Sequence, residues 1–561
     1  MPSLTENRCG LVGVAMTICL LLCAPAAASA QASTYVSASD PAYSDLDVLV
    51  SAGLVTGLIL GQRAYSRMTF VRAAAQARGG LQTGRFKSRF EEAVARLEAG
   101  FQPELALLCD ESAGPCPEVL PQVQLRGVAL ESSGADNPGR MIAASYIMPE
   151  YFTTLPDFID ADVAPLLQGN QGRYLADGLT VAAEAWGGAT LGRRFVAEIR
   201  PRAWLARSRG SGTDVEAALL QGYLRGVFGD LSVEVGRRPV SHGSARAYSP
   251  ALSGNARGLD MVRLSRERPG RLPWIFRHLG PASFAALVAD LGSARDNPGS
   301  VLIVYEGGVL PHPNLELGFA FTNQQGGERT PEASLSDRFF DIFFLQDRRP
   351  FTFLPPDPQI SDKSMGLDAR LTIPQIGAKA WVEFVTTDDH WTALDALGEV
   401  FRTEAAWTGG IQVSGLGAAG RVDVWAEVGH NGVRPYTHHQ FTSGYTLDRR
   451  VLGSPLGPLA TGWQAGLDWT GPRDRVSFAG AQERYSGDVW WDRSGHPIRW
   501  ELLEDNPDET RLRGTLAWIR EPASTGPRAT VRLGYERVTR FDFTDQNRAN
   551  WLAQVRLDYL F

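Results

Sequence analysis

The sequence predicts an all-β transmembrane barrel of about 18 antiparallel strands, preceded by a small N-terminal α-helical bundle in the periplasm. Three observations favour this fold class: an export signal at the front of the chain, alternating apolar and polar residues from about residue 121 onward, and a last strand that ends on Phe561. A soluble β-sandwich is the alternative, but it does not account for all three observations together.

Residues 551–561 show the alternation most clearly, because successive side chains of a strand point to opposite faces. One face carries Trp551, Ala553, Val555, Leu557, Tyr559 and Phe561, and the other carries Leu552, Gln554, Arg556, Asp558 and Leu560. An apolar face with aromatic residues near its end is typical of a strand that meets lipid. A terminal Phe with Tyr two residues earlier also resembles the C-terminal signal by which outer-membrane barrels are recognised for insertion.

Residues 1–30 are expected to be a secretory signal peptide. Arg8 precedes an apolar run over residues 11–28, and the small residues at 28–30 predict cleavage before Gln31. The run is short for a membrane helix, and no positively charged stop-transfer flank follows it. The mature chain is therefore expected to be exported without an N-terminal anchor.

Two cysteines, Cys109 and Cys116, remain once the predicted signal peptide is removed. Exported proteins fold in an oxidising compartment, so we predict that these two form a disulfide. Thiol labelling of the denatured, unreduced mature protein should then find no free cysteine, and labelling of both would contradict the prediction. No histidine precedes His242, so a metal site at these cysteines is not expected.

The charge balance argues against one class of partner. The formal net charge is −7 at pH 7, and a nucleic-acid-binding protein is expected to be basic instead. Lysine occurs only at positions 87, 363 and 379, so nearly all positive charge is arginine. Guanidinium groups suit a polar barrel lining and planar hydrogen bonds to carboxylates or sugar hydroxyls, although a GC-rich genome alone also produces such a bias.

Residues 31–120 are predicted to form the helical bundle. Asp40-Pro41 begins the first helix, Ser66 caps the second, and the third ends near Pro103. The apolar faces carry Tyr43, Leu46, Val50 and Leu54; Met68, Phe70, Val71 and Ala74; and Phe86, Phe90, Val94, Leu97 and Phe101. Short amphipathic helices need one another, or the barrel, to bury such faces. This pattern indicates a structural unit without chemistry.

Residues 121–561 are predicted to form the barrel, with long extracellular loops. In the stretch 195–205, one face carries Phe195, Ala197, Ile199, Pro201, Ala203 and Leu205, and the other carries Glu198, Arg200 and Arg202. If the last strand runs toward the periplasm, the alternating direction of the strands assigns each earlier connection either to the outside or to the periplasm. The connections 430–458, 487–508 and 541–548 then lie outside, and the short turns 470–474 and 521–527 lie in the periplasm.

One predicted outer loop, GDVWWDRSGHPIRW at 487–500, has the composition of a sugar-binding surface. Carbohydrates present CH faces to aromatic rings and hydroxyl edges to planar polar groups. The candidate residues in this loop are Trp490, Trp491, Asp492, Arg493, His496 and Arg499. The alternative for Trp490 and Trp491 is the aromatic girdle at the membrane interface, and Trp500 is expected to belong to that girdle.

Tyr436, His438 and His439 lie on another predicted outer loop and are further candidates for polysaccharide contact. Histidines so close together also occur in metal sites, but loop histidines that hydrogen-bond locally are the expected case. We therefore predict neither a metal nor a cofactor.

Catalytic motifs do not stand out. The sequence contains no G-x-S-x-G, H-E-x-x-H, C-x-x-C pair or P-loop pattern. His242, Ser244 and Asp260 include the residue types of a hydrolase triad, but proximity in sequence does not establish the geometry that a triad requires. We expect this grouping to be incidental and the protein not to be an enzyme.

Several local patterns resemble one family of outer-membrane barrels, the capsule assembly Wzi family. The patterns are YVSASDPAYSDLDVLVSAGLV at 35–55, GQRAYSR at 61–67, NQGRYLADG at 170–178, the stretch 235–260, PHPNLELG at 311–318, and HHQFTSGYTLDRRVLGSPLGP at 438–458. The resemblance implies a barrel of roughly 18 strands with a periplasmic helical bundle, which binds surface polysaccharide as a lectin. This chain departs from the family in its longer outer loops and in having His242-Gly243 where a Trp-Gly pair is expected.

The leading functional hypothesis is therefore a non-enzymatic barrel in the cell outer membrane that binds or organises capsular or exported polysaccharide. The expected partners are that polysaccharide, outer-membrane lipid and lipopolysaccharide, and the barrel-insertion machinery. A porin-like channel for small solutes or saccharides is the second hypothesis, and a hydrolase housed in the barrel is the third.

Overall fold

The computed structural model describes residues 31–81, 87–108, 118–148, 153–154, 158–210, 212–342, 360–387, 400–417, 419–493, 500–522 and 526–561. Within them the chain forms a closed barrel of 18 antiparallel strands with a few N-terminal helices, which confirms the predicted fold class. No described helix is long and apolar enough to cross a membrane. The predicted signal peptide, Cys109 and Cys116 lie outside the described residues, so the disulfide stays a prediction.

Four helices of the described residues form a small unit before the barrel. They are α1 Ala42–Ser51, α2 Arg67–Gly80, α3 Lys87–Gly100 and α4 Gln102–Ala106. The Ser66 side chain accepts a hydrogen bond from the backbone N–H of Thr69 (3.3 Å), so Ser66 caps α2 as predicted. The helices share one hydrophobic cluster, in which the rings of Phe70 and Phe101 stack with centroids 5.1 Å apart. The described residues of the predicted apolar faces thus bury one another, and Phe86 lies outside the described residues.

Eighteen strands close the barrel. They are β1 Gln122–Asp136, β2 Gly178–Leu191, β3 Phe195–Ser208, β4 Thr213–Phe228, β5 Leu231–Arg238, β6 Leu259–Arg266, β7 Pro281–Asp290, β8 Val301–His312, β9 Leu315–Gln325, β10 Ser361–Ile373, β11 Ala378–Thr387, β12 Ala405–Leu416, β13 Val422–Asn431, β14 Ala460–Thr470, β15 Asp474–Tyr485, β16 Glu509–Arg520, β17 Pro527–Thr539 and β18 Arg548–Leu560. Each strand pairs with its neighbours in sequence, and the seam joins β1 to β18, where Val128 lies opposite Tyr559. Because the barrel is closed, the sheet has no edge with unpaired backbone groups. A sheet that is surrounded by lipid must meet this condition.

Side chains alternate between the outside of the barrel and its lumen. On β18, Trp551, Val555 and Tyr559 are exposed on the outer face, whereas Leu552 and Asp558 are buried on the inner face. Exposed aromatic rings collect near the two ends of the strands: Phe195, Phe228, Trp469 and Tyr559 near one end, and Trp463, Tyr535 and Trp551 near the other. Such belts are typical of barrels that span a membrane.

Connections alternate between two ends of the barrel. At the short-turn end, 192–194 joins β2 to β3 and 229–230 joins β4 to β5. At the opposite end, which we call the long-loop end, the longer connections are 137–177, 239–258, 326–360, 432–459 and 486–508. The connections predicted on opposite sides of the membrane do lie at opposite ends.

The helical unit sits at the short-turn end. Arg89 of α3 forms an ion pair with Asp423 at the start of β13 (2.7 Å), and Arg475 at the start of β15 forms one with Asp45 of α1 (2.7 Å). Arg89, Asp423 and Asp45 are all buried. Removing one partner of such a pair leaves the other charge buried and unpaired. These contacts therefore fix the helical unit against the barrel rim.

The connection between β5 and β6 enters the lumen. Its residues 241–253, which we call the luminal strap, pair with Gln62–Arg63 of the N-terminal unit, and the Gly243 N–H donates to the Gly61 carbonyl (2.7 Å). At the other end of the strap, the Ser253 N–H donates to the carbonyl of Leu452 in the connection 432–459 (2.7 Å). The strap therefore joins the helical unit to the long-loop end through the middle of the barrel.

The long-loop half of the lumen is filled by a hydrophobic core. The strap contributes Tyr248 and Leu252, the surrounding loops contribute Ile142, Ile159, Tyr436, Tyr445, Leu447 and Val451, and the strands contribute Met261, Leu287, Leu302 and Val304 among others. These side chains interlock, so that the lumen at this end is occupied by protein.

Candidate functional site

The luminal strap is held by carboxylates on the barrel wall. His242 lies between two of them, with Nδ1 3.1 Å from an oxygen of Glu306 on β8 and Nε2 2.8 Å from an oxygen of Asp368 on β10. All three groups are buried. Both ring nitrogens are therefore engaged by the wall, and His242 positions the strap.

Glu383 on β11 binds the next part of the strap. It accepts hydrogen bonds from the Ser244 N–H, from the Ala245 N–H (2.6 Å) and from the Ser249 hydroxyl (3.0 Å). Gly243 has φ of +95°, and a Cβ at this position would clash with a carboxylate oxygen of Glu383. Glycine is thus required where the chain turns against the carboxylate.

Glu427 on β13 binds three successive backbone N–H groups of the strap, those of Arg246 (2.7 Å), Ala247 (2.9 Å) and Tyr248 (2.9 Å). The Trp381 indole N–H also donates to it (3.1 Å). Beyond it, the Tyr248 hydroxyl donates to Glu483 on β15 (3.1 Å). Charged acceptors make strong hydrogen bonds in a dry interior, so the strap is a fixed part of the barrel.

The hydrolase grouping is not assembled. Asp260 forms ion pairs with Arg237 (2.7 Å) and Arg257 (3.0 Å), while Arg263, three positions further along β6, reaches Glu306 inside the lumen (2.8 Å). Odd and even positions of a strand face opposite sides, so Asp260 faces away from the strap. His242 is held by Glu306 and Asp368 instead, as described above.

The connection 432–459 contains the first set of predicted contact residues. Tyr436 is buried, and its hydroxyl donates to the Pro250 carbonyl (2.9 Å) and accepts from the Ser454 N–H (3.1 Å). His438 is also buried, and its Nδ1 accepts from the backbone N–H groups of Gln440 (3.1 Å) and Phe441 (3.4 Å). These two residues hold the loop together below its surface. The local hydrogen bonding expected for these histidines is confirmed at His438.

The two histidines stack, with ring centroids 4.5 Å apart, and the pKa of each ring is lowered. Burial, followed by the proximity of His439 and Arg434, keeps the pKa of His438 well below its ordinary value. Burial and then Arg434 lower the pKa of His439 to about 4. Among the described residues, no group of three or more histidine, cysteine, aspartate or glutamate side chains is arranged to hold a metal ion.

The second predicted set lies in a small sheet at the long-loop end. Val489–Asp492 pairs antiparallel with Trp500–Glu504 and parallel with Tyr146–Met148 of the connection 137–177. Trp490 and Trp491 are half-buried, Asp492 is buried, and the half-exposed Arg493 forms an ion pair with Glu501. His496 and Arg499 lie outside the described residues.

Trp500 corrects one expectation. It was expected in the membrane girdle, but it is only 2% exposed and packs edge-on against Tyr146, with ring centroids 5.5 Å apart. Its indole N–H donates to Glu404. Trp500 is buried because two distant loops pair. This pairing places Trp500 in the core of the small sheet at the long-loop end.

A charged group at the long-loop end escaped the sequence analysis. Arg449, at the turn between Thr446–Leu447 and Arg450–Val451, forms an ion pair with Asp162 (2.7 Å) and approaches Asp160 (3.7 Å). Half of the Arg449 side chain is exposed. The sequence signal was present in DRR at 448–450, but its acidic partners lie on another loop.

Comparison with known proteins decides the family. The family model described as capsule assembly protein Wzi matches residues 160–551. The chain belongs to the Wzi capsule assembly family. The resemblance seen in the sequence is thereby confirmed, and the fold is that of an outer-membrane β-barrel.

One solved structure agrees with the Wzi assignment at the level of the fold. It is described as Wzi, an outer membrane protein involved in group 1 capsule assembly in Escherichia coli and a carbohydrate-binding β-barrel. It has a TM-score of 0.64 and 15% identity, covering 94% of this chain and 100% of that chain. Pseudomonas aeruginosa OccD3 (OpdP) has a TM-score of 0.42 and 9% identity, covering 79% and 92% of the two chains, and OprD has 0.41 and 10%, covering 78% and 93%. No curated protein matches the sequence.

Proposed function

We propose that this Wzi-family protein is a non-enzymatic outer-membrane barrel that binds capsular or exported polysaccharide on its long-loop face. The observation that carries the proposal is the filled lumen: the strap and the loops form one packed body that closes the barrel at this end. Such a body offers a fixed surface to a polymer. Membership of a capsule assembly family and the likeness to a barrel described as carbohydrate-binding support the same function.

The chemistry of the long-loop face fits a saccharide. Trp490 and Trp491 supply half-buried aromatic rings on a sheet, which is firmer support than a free loop. Arg493 and Arg449 supply planar guanidinium groups that are about half exposed and already oriented by Glu501 and Asp162. We assign direct contact to these residues and to His439, with His496 and Arg499 as further candidates. Tyr436, His438 and Asp492 are assigned a supporting role because they are buried.

The orientation is part of the proposal. A predicted signal peptide and a last strand that ends at the short-turn end favour a periplasmic location for that end and for the helical unit. The long-loop face is then extracellular, next to lipopolysaccharide, and the barrel-insertion machinery is the expected partner during assembly.

The two other hypotheses receive less support. A porin-like channel needs a continuous aqueous path, whereas buried side chains occupy the long-loop half of the lumen. A hydrolase built on His242, Ser244 and Asp260 needs these groups together, whereas Asp260 faces the other side of its strand.

The test is polysaccharide binding by the double variant Trp490→Ala, Trp491→Ala. Loss of a central aromatic contact typically costs about 2 kcal/mol or more, so we expect binding to weaken at least about tenfold. The matched control is Trp463→Ala, because this ring is exposed on the outer face of β14 within the aromatic belt. It should alter heat stability and leave sugar affinity unchanged.

Binding is measured on a glycan array that includes surface polysaccharide from the same organism, using protein whose folding is verified by heat-modifiable electrophoretic mobility. Unchanged affinity in the folded double variant would remove these rings from the site. Failure of the wild-type protein to bind any glycan would contradict the proposed function itself.

A further inference from the structure

One connection at the short-turn end differs from the others. Residues 267–280, between β6 and β7, carry a 3₁₀ turn at Trp274–Leu279, and we call these residues the rim finger. Elsewhere at this end the connections are as short as 229–230 and no longer than 521–526. The rim finger is therefore longer than the few residues that are needed to join two neighbouring strands, and it extends the barrel wall.

The rim finger displays apolar side chains to its surroundings. Trp274 is 85% exposed, Ile275 75%, Phe276 51% and Leu279 40%. Four large apolar residues so close together are rarely left in water, because each one buried removes an unfavourable apolar surface. The described part of the chain does not cover them.

Positive charge surrounds these side chains. Arg271 and Arg277 are exposed, and among the described residues neither has an acidic partner within ion-pair distance. The nearby acidic groups are already engaged: Asp230 pairs with Arg266 and Arg268, and Glu267 pairs with Arg225 and Arg72. The finger therefore presents two uncompensated guanidinium groups beside its apolar tip.

The finger is continuous with the outer apolar surface of the barrel. It follows the end of β6, where Arg266 pairs with Leu231 at the start of β5. The turn 229–230 that leads into β5 follows the exposed ring of Phe228. Phe228 packs edge-on against Phe195, with centroids 5.6 Å apart, and both rings belong to the aromatic belt near the short-turn end. The backbone N–H of Glu267 donates to the Asp230 carbonyl (2.7 Å), which ties the base of the finger to that belt.

We propose that the rim finger is a binding site for anionic phospholipid in the membrane leaflet at the short-turn end. Trp274, Ile275, Phe276 and Leu279 enter the boundary between headgroups and acyl chains, and Arg271 and Arg277 bind phosphate oxygens. Aromatic and aliphatic residues beside arginine are the composition that interfacial anchors use. The inference shares the membrane setting of the proposed function and is independent of polysaccharide binding.

The experiment places a reporter on the finger of the full mature chain. Ile275→Cys is labelled with an environment-sensitive fluorophore, in a chain whose Cys109 and Cys116 are replaced by Ser, and the folded protein is reconstituted into phosphatidylcholine vesicles. Brominated acyl chains quench the fluorophore only on contact. Leu503→Cys, an exposed apolar position on the long-loop sheet, is the matched control and should stay unquenched.

The charge is tested with brominated phosphatidylglycerol in a phosphatidylcholine background. We expect this anionic lipid to quench the reporter at position 275 in preference to brominated phosphatidylcholine, and salt to reduce the preference. Arg271→Gln with Arg277→Gln should reduce it by about fivefold per guanidinium. Arg207→Gln with Arg537→Gln, exposed near the long-loop end, should leave it unchanged.

An unquenched reporter in the folded protein would overturn the proposal. Disulfide-linked dimers through position 275 would assign the surface to a second copy of the chain and overturn it as well. Quenching without preference for the anionic lipid would overturn the role given to Arg271 and Arg277. Each result is independent of glycan binding, so either proposal can fail alone.

Discussion

At the scale of single residues, the structure uses buried polar groups for fixed positioning. Glu427 shows this best, because one carboxylate satisfies three backbone N–H groups of the strap and the indole of Trp381. A buried donor that loses its acceptor costs about 1–3 kcal/mol. Single wall carboxylates therefore decide whether the strap stays in place.

Replacing Glu427 by Ala should lower the free energy of unfolding of the barrel by about 3 kcal/mol, since four donors lose one charged acceptor. The measurement is a urea titration of the protein folded in vesicles. Glu216→Ala serves as the control, because Glu216 is exposed on β4, and it should change the unfolding free energy little. Equal stability of the two variants would mean that the strap contributes nothing to the fold.

The two stacked histidines, His438 and His439, predict a pH dependence. Their pKa values are depressed in the folded loop, so the stability they contribute is complete above about pH 6.5, the ordinary value. It declines as the pH falls below that point toward the lowered pKa values, near 4 for His439 and lower still for His438. Protonation also destroys the acceptor at Nδ1 of His438.

Amide hydrogen exchange in the segment 437–446, corrected for intrinsic rates, should therefore speed up between pH 7 and pH 5. His438→Asn combined with His439→Asn should flatten this change, because Asn retains an acceptor and does not titrate. His278→Asn, on an exposed turn, should behave as the wild type. If these amides are equally protected from exchange at acid pH in the wild type, the double variant and the His278 variant, the two histidines do not cause the pH dependence.

At the scale of elements, the barrel strands were predictable and the contents of the lumen were not. The alternation of β18 is visible in the sequence because lipid lies along the whole length of one face. The partners of His242, in contrast, lie 64 and 126 positions away, on β8 and β10. A period of two says which side a residue faces but not which distant strand it meets.

The loop sheet illustrates the same limit for the candidate site. Trp490, Trp491 and Arg493 were selected for their chemistry, and the structure gives them a common support. Trp500 was misplaced because its burial depends on Tyr146, which pairs with Trp490 through a parallel register. Parallel pairing between two separate loops leaves no periodic signal in either one.

The luminal strap leads to a prediction about conductance. Wild-type protein in a planar bilayer should pass no steady unitary current, because the strap and its hydrophobic core fill the lumen. Replacing 241–253 with a short Gly-Ser linker should open a conducting path in barrels whose folding is verified by heat-modifiable mobility. Currents of equal size in both proteins would favour the porin-like alternative.

At the scale of the whole molecule, Phe561 allows insertion into the membrane to be tested separately from the stability of the folded barrel. The Phe561 ring is 77% exposed, and its backbone N–H donates to the Arg126 carbonyl (3.0 Å). The ring thus contributes little to packing in the finished barrel, and a defect caused by its removal reports on insertion.

Deleting Phe561 should reduce the amount of folded protein in the outer membrane several-fold, with little effect on synthesis or export. Phe478→Ala is the comparison, since it removes another exposed lipid-facing ring without altering the C-terminus. Fractionation followed by heat-modifiable electrophoresis measures both variants. Normal levels of folded protein without Phe561 would show that the C-terminal residue is not part of an insertion signal.

A barrel whose lumen is spanned by a strap is also a mechanical connector. A pull on the connection 432–459 passes through Leu452 to Ser253, along the strap, and through Gly243 to Gly61 of the helical unit. Between these two ends, carboxylates on several strands bind the strap, so the barrel wall shares the force. A polymer held at the long-loop face would then be anchored under shear by the entire wall, without a covalent link to the membrane.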